Sequence, residues 1–244
     1  MRARFIPALL RAHRQGLRQP VLRNQAKAMV LPAARAIYVP VPKAANSSIR
    51  MALCPSLGID PATIADPQGD NGLPILPLRE ALEQAGPDWL VFTVVRHPWD
   101  RARSAWRDKL VLRDPPLRPL VTMGLEKTDS FRTFLLASRL WPRQGLNDHF
   151  IPQTDLLAPV LDHPGLRILK METLAEQWPA LCDDLERRGA VRPDALPILN
   201  RRPTAPGNRS FSRGEVLLLR SLYDRDFAPL GYDCDATAPA SAPS

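Results

Sequence analysis

Three short runs in the chain are apolar and β-branched enough to read as strands: Ala36-Ile37-Tyr38-Val39, Leu90-Val91-Phe92-Thr93-Val94-Val95, and Leu166 to Leu169. Near-continuous apolar runs of this length, bounded by proline, glycine or charge, suit strands covered on both faces. Behind the first two, the pattern switches to the helical period. Ile49, Ala52 and Leu53 share one face after the first run, and Ala102, Ala105 and Trp106 share one after the second. Pro98 stands where a helix tolerates proline best, at its first position. Further helices are expected from Leu78 to Ala85, stopped by Gly86-Pro87, and from Asp129-Ser130 through Phe131, Phe134 and Leu135. Another runs from Thr173 to Arg188, with Pro179 marking a break or a second start and Gly189 the stop. Ser212-Arg213-Gly214-Glu215 is a capping box that opens a last helix through Phe227. Strands that each feed a helix predict an α/β fold, a parallel sheet flanked by helices.

Between these elements, residues 59–77 form a loop rich in proline, glycine, aspartate and asparagine, of the length that functional or mobile loops have. A polar stretch from Leu199 to Ser210 is either a cover for a ligand or a solvated connection. Residues 234–244, mostly Ala, Pro, Ser and Thr, have little to bury and are expected to be a disordered tail.

Charge changes the picture at one end only. The chain has 244 residues and a net charge of +8, but residues 1–59 hold ten Lys/Arg and no acid, leaving 23 basic residues against all 25 acidic ones from Asp60 onward. The body therefore lacks the basic surface of a general nucleic-acid binder. Residues 1–35 read as a basic N-terminal extension, either solvated and partly helical or an arm suited to an anionic membrane surface or an acidic partner, with the folded domain expected at 36–233. No run approaches the roughly 18 apolar residues of a membrane span. Cys54, Cys182 and Cys234 are an odd set without CxxC spacing, so neither a disulfide framework nor a zinc site is suggested, and a reducing, cytoplasmic compartment is the default.

The candidate chemistry lies where strands hand over to helices. Pro42-Lys43-Ala44-Ala45-Asn46-Ser47-Ser48 joins the first strand to its helix. Such a turn gathers free N–H groups and the positive end of the helix dipole, and Lys43 adds a full charge: an anion seat. The turn lacks the glycines of a Walker loop, and a plain corner with Ser47 or Ser48 capping is the competing reading. Arg96 ends the second strand, where ligands bind in open α/β sheets, and its planar fork suits a phosphate. Ser104, two turns into the next helix, is a second donor; alternatively Arg96 pairs with an aspartate to hold the strand end.

Taken together, these stretches resemble a family. Pro42 to Ile49 resembles the 5′-phosphosulfate loop of sulfotransferases that use 3′-phosphoadenylyl sulfate (PAPS), and Val95-Arg96-His97-Pro98-Trp99-Asp100-Arg101 with Ser104 and Trp106 looks like their 3′-phosphate motif. His149-Phe150-Ile151-Pro152-Gln153, Lys170-Met171-Glu172-Thr173-Leu174, and Tyr223-Asp224-Arg225-Asp226-Phe227 with Gly231-Tyr232 are similar to segments of the carbohydrate branch, which includes the Golgi HNK-1 and chondroitin enzymes and bacterial relatives. His97 departs from it, standing where relatives often carry an acid or asparagine. The missing membrane anchor of the Golgi enzymes implies a soluble, bacterial-type enzyme.

The resemblance implies a P-loop-NTPase-like sulfotransferase fold and transfer of a sulfuryl group to a hydroxyl of a small molecule or carbohydrate, without a metal. Lys43, the backbone of Ala44, Ala45 and Asn46, and Ser47 and Ser48 would hold the phosphosulfate; Arg96 and Ser104 would hold the 3′-phosphate. It singles out His149 among four histidines as the base that takes the hydroxyl proton, with Glu80, Asp66 and Asp70 as alternatives. Two other classes fit parts of the same chain: a nucleotide-dependent phosphotransferase using the same corner, and a non-enzymatic basic-arm adaptor for anionic lipid or polymer.

Overall fold

In the computed structural model, residues 4–16, 26–67, 69, 72–197 and 211–233 are described. In chain order the first elements are α1 (Phe5–Gly16), β1 (Lys27–Leu31), β2 (Ala36–Val39), α2 (Asn46–Leu53), β3 (Ile75–Pro77), α3 (Leu78–Gln84) and β4 (Leu90–Val95). The later ones are α4 (Pro98–Trp106), α5 (Arg118–Thr122), α6 (Phe131–Leu140), α7 (Gln153–Leu157), β5 (Leu166–Lys170), α8 (Leu174–Arg187) and α9 (Arg213–Tyr223). The chain divides into two units, one of Met1–Asn24, Pro98–Thr154 and Pro203–Ser244, the other of Gln25–His97 and Asp155–Arg202.

The second unit holds the sheet, in the order β3-β1-β2-β4-β5. β2, β4 and β5 are parallel, as the short, fully buried apolar runs of β2 and β4 predict. The sheet is nevertheless mixed, because β1 pairs antiparallel with both β2 and β3. All six residues of β4 are buried, and each large apolar side chain so placed contributes about 1.5–3 kcal/mol relative to exposure. Thr93 removes the cost of its hydroxyl by donating to the Val39 carbonyl at 2.7 Å. β1 lies within the stretch expected to be a basic extension: Ala28 to Leu31 are buried and only Lys27 is outside the core. α8 runs unbroken through Pro179, which costs it one backbone bond in its second turn and no change of direction large enough to end it.

The first unit has its own core, built by Trp99, Ala102 and Ala105 of α4, Phe131, Phe134 and Leu135 of α6, and Leu219 and Tyr223 of α9. Phe5 and Ala8 of α1 join it, so the basic N-terminus supplies a packed helix. Gly124 makes room for that helix. It has φ +79°, and a Cβ there would lie 3.2 Å from the Phe5 Cα. The capping box at Ser212 forms as its spacing predicts, with both reciprocal bonds to Glu215. Residues 199–210 and the 234–244 tail lie outside the described residues.

Candidate active site

The parallel register puts the ends of β2 and β4 side by side, pairing Val39 with Thr93. The segments that leave the two strand ends must therefore meet. Arg96 donates from its guanidinium to the Lys43 carbonyl at 3.3 Å, tying the strand end to the loop. The loop backbone is unusual: Lys43 has φ 71° and Ala45 φ 58°, both left-handed without being glycine. Each such residue costs about 1–3 kcal/mol and persists only where its surroundings over-determine it. The loop thus adopts glycine-type backbone angles with Cβ-bearing residues.

α2 begins immediately afterwards with Ala45 as its N-cap, and no side chain caps it. Ser47 and Ser48 are thus inside the first turn, not capping it. The first-turn N–H groups of Asn46, Ser47 and Ser48 have no intrahelical acceptor, which is the arrangement that receives anions. Ala44 differs: it is buried and gives its N–H to the Val41 carbonyl at 3.2 Å, which withdraws that group from an anion's reach. The Asn46 side chain accepts from the Tyr38 hydroxyl at 3.3 Å. Tyr38 is fully buried, stacks on Phe92 with centroids 5.3 Å apart, and is pushed to a higher pKa by that burial against the opposing charge of Arg50. Behind Arg96, the His97 N–H donates to Glu172 Oε1 at 2.7 Å. Glu172, from the Lys170–Leu174 motif, thus anchors the turn that carries Arg96, and buried His97 is part of that anchor.

Ser104 and His149 belong to the other unit. Ser104 lies half-buried on α4. His149 sits in a segment held by three side chains from elsewhere in the unit. Arg101, almost wholly buried, donates to the Ile151 and Asp148 carbonyls, both at 2.8 Å. The Tyr223 hydroxyl donates to the Phe150 carbonyl at 2.8 Å. Asp226, fully buried, accepts from the Gln153 and Thr154 N–H groups, both at 2.9 Å, and from the Thr154 hydroxyl at 2.8 Å. The closing Tyr223–Phe227 motif therefore fastens the His149–Gln153 motif. Asp226→Ala should lower stability by on the order of 3 kcal/mol or more, since it strands three buried donors; an unchanged urea midpoint would remove Asp226 from this role.

The His149 ring is one-fifth exposed, with Nδ1 2.7 Å from Asn147 Oδ1 and 2.9 Å from Asp148 Oδ1. Burial lowers its pKa from the ordinary 6.5; the Asp148 bond and charge oppose this, while Lys109 and Arg101 add to it. The ring is neutral at pH 7 and fit to accept a proton. Glu80 and Asp66 are exposed, and Asp70 lies outside the described residues. Cys54 and Cys182 are buried free thiols, Cys182 pushed up to about 11 by burial, so neither is a ready nucleophile. Among the described residues no group of three or more His, Cys, Asp or Glu could hold a metal ion. Arg101, Tyr38, Asn147 and Asp148 carried no signal of their own in the sequence; Asn147 and Asp148 could have been found by their adjacency to His149.

A sequence model of the sulfotransferase family matches residues 27–233. No curated protein and no solved structure matches the chain.

Proposed function

Because the chain belongs to the sulfotransferase family, we propose that it transfers a sulfuryl group from PAPS to a hydroxyl on a carbohydrate. The observation that supports this most is the loop of Lys43 and Ala45, held in left-handed conformations ahead of an uncapped helix and tied to Arg96. A pre-set loop with N–H groups and a lysine fits the phosphosulfate group, which supplies the sulfuryl and a phosphate leaving group. Lys43 and the N–H groups of residues 45–48 neutralise the charge that grows on the phosphate oxygen, and the Ser47 and Ser48 hydroxyls assist. Arg96 and Ser104 hold the 3′-phosphate and so fix the direction of the nucleotide. His149 accepts the proton of the acceptor hydroxyl.

Nucleotide preference tests the donor. The protein should bind 3′,5′-adenosine bisphosphate about 10–100-fold more tightly than AMP, the worth of one or two charge-assisted hydrogen bonds. Arg96→Ala should erase most of that difference in calorimetric titrations. Equal affinities in the unmodified protein would refute the 3′-phosphate site and favour a phosphotransferase.

The basic N-terminus fits a peripheral membrane contact. With Phe5 and Ala8 committed to the core, α1 turns Ile6 and Leu10 outward, 52% and 57% exposed, and Arg11 and Arg14 are exposed with them. Two apolar anchors among cations suit an anionic bilayer surface. No helix among the described residues is long and apolar enough to cross a membrane. The protein should co-sediment with vesicles containing phosphatidylglycerol and not with pure phosphatidylcholine, and Ile6→Ser with Leu10→Ser should weaken this. Equal binding to both vesicles would refute the contact.

A further inference from the structure

His149 turns one ring nitrogen towards two oxygens: Nδ1 faces both Asn147 Oδ1 and Asp148 Oδ1. An ionised carboxylate can only accept. Asn147 Oδ1 also accepts the His149 main-chain N–H at 3.2 Å, which fixes the amide with its oxygen towards the ring. A lone pair on Nδ1 would meet two further lone pairs, so the proton of the neutral ring belongs there. The second nitrogen, Nε2, then carries the lone pair. The backbone beneath this arrangement is fixed, because Arg101 holds the Asp148 and Ile151 carbonyls.

We propose that Asp148, assisted by Asn147, is the positioning residue of the active-site base: it fixes the Nδ1–H tautomer and leaves Nε2 to take the acceptor's proton. This rests on the reading of His149 as that base. As the acceptor oxygen bonds to sulfur, its proton passes to Nε2, and the electron pair of the broken sulfur–oxygen bond leaves on the phosphate. The ring then carries two protons and a positive charge, faced by the Asp148 carboxylate. Asp148 stays ionised for this. Burial pulls its pKa up, but the His149 hydrogen bond and the charges of His149 and Arg101 outweigh burial and hold it below the ordinary value. Of the charged groups that act on the ring, Arg101 and Lys109 oppose its protonation and Asp148 favours it. Without Asp148 the ring would be a weaker base.

Two measurements on the full chain test this. Nitrogen-15 correlation spectra of the histidines above pH 7, with His149 assigned by the signals lost in His149→Ala, should show Nδ1 protonated and Nε2 not. Asp148→Asn keeps an acceptor oxygen and removes the charge; turnover should fall about tenfold, its acid limb should move to lower pH, and nucleotide affinity should hold. A loss of folding alone would lower turnover without moving the limb. An Nε2-protonated ring in the unmodified protein, or an Asp148→Asn variant with rate and limb unmoved, would overturn the role of Asp148. Near-full turnover in His149→Ala would overturn the underlying reading of His149, a distinguishable result.

Discussion

Lys43→Ala is expected to lower turnover about 10²-fold or more while leaving the protein folded. The size reflects the removal of one preorganised charge aimed at a leaving oxygen. Alanine suits the test for a reason found in the backbone. At φ 71° the lysine already bears the strain of a Cβ in the left-handed region. Alanine keeps that Cβ and that strain, and the main-chain carbonyl that receives Arg96 is untouched. The variant thus isolates the ammonium group. Lys43→Gly would relax the backbone as well and mix two effects. Steady-state turnover with a thermal melt decides the matter: near-parental turnover would take Lys43 out of the mechanism, and a collapsed melt would mark it as structural.

His149→Ala should cost on the order of 10²–10⁴ in rate with nucleotide affinity almost unchanged. The pH profile carries the sign. A base must be neutral to accept a proton, so turnover falls as pH drops through the His149 pKa. Burial places that pKa below 6.5, so the acid limb lies below the range of an ordinary histidine, and turnover is flat from there to neutrality. An acid limb that survives unchanged in His149→Ala would assign it to another group, with Glu80 the next to examine.

Much of the sheet was legible because burial on both faces leaves a simple mark. Leu90–Val95 is a run of six buried residues, and its ends fall where the apolar pattern stops. β1 was not legible as a strand. Lys-Ala-Met-Val-Leu is short, opens on a charge and comes after a string of arginines, and antiparallel pairing towards a sheet edge leaves no local signature. β3 has three residues inside a stretch dominated by turn formers. The Lys43 loop reads as an anion seat from its residue types, but its left-handed backbone left no mark in the sequence. A left-handed Ala45 stands at the cap where propensity favours a serine, and residue types alone do not reveal that. Pro179 misled for the opposite reason: early in a helix, tertiary packing outweighs the loss of one bond. Arg101 was visible only as part of a motif, since a buried arginine paired with two backbone carbonyls looks like any other arginine in a sequence.

The segment that carries His149 also has a history in time. Its fastenings from Tyr223 and Asp226 come from 72 to 73 residues further along the chain. During synthesis β2, β4 and the Lys43 loop are complete long before those residues exist. The segment that carries His149 therefore stays unfastened until Tyr223 and Asp226, at the end of the last helix and just beyond it, have left the ribosome.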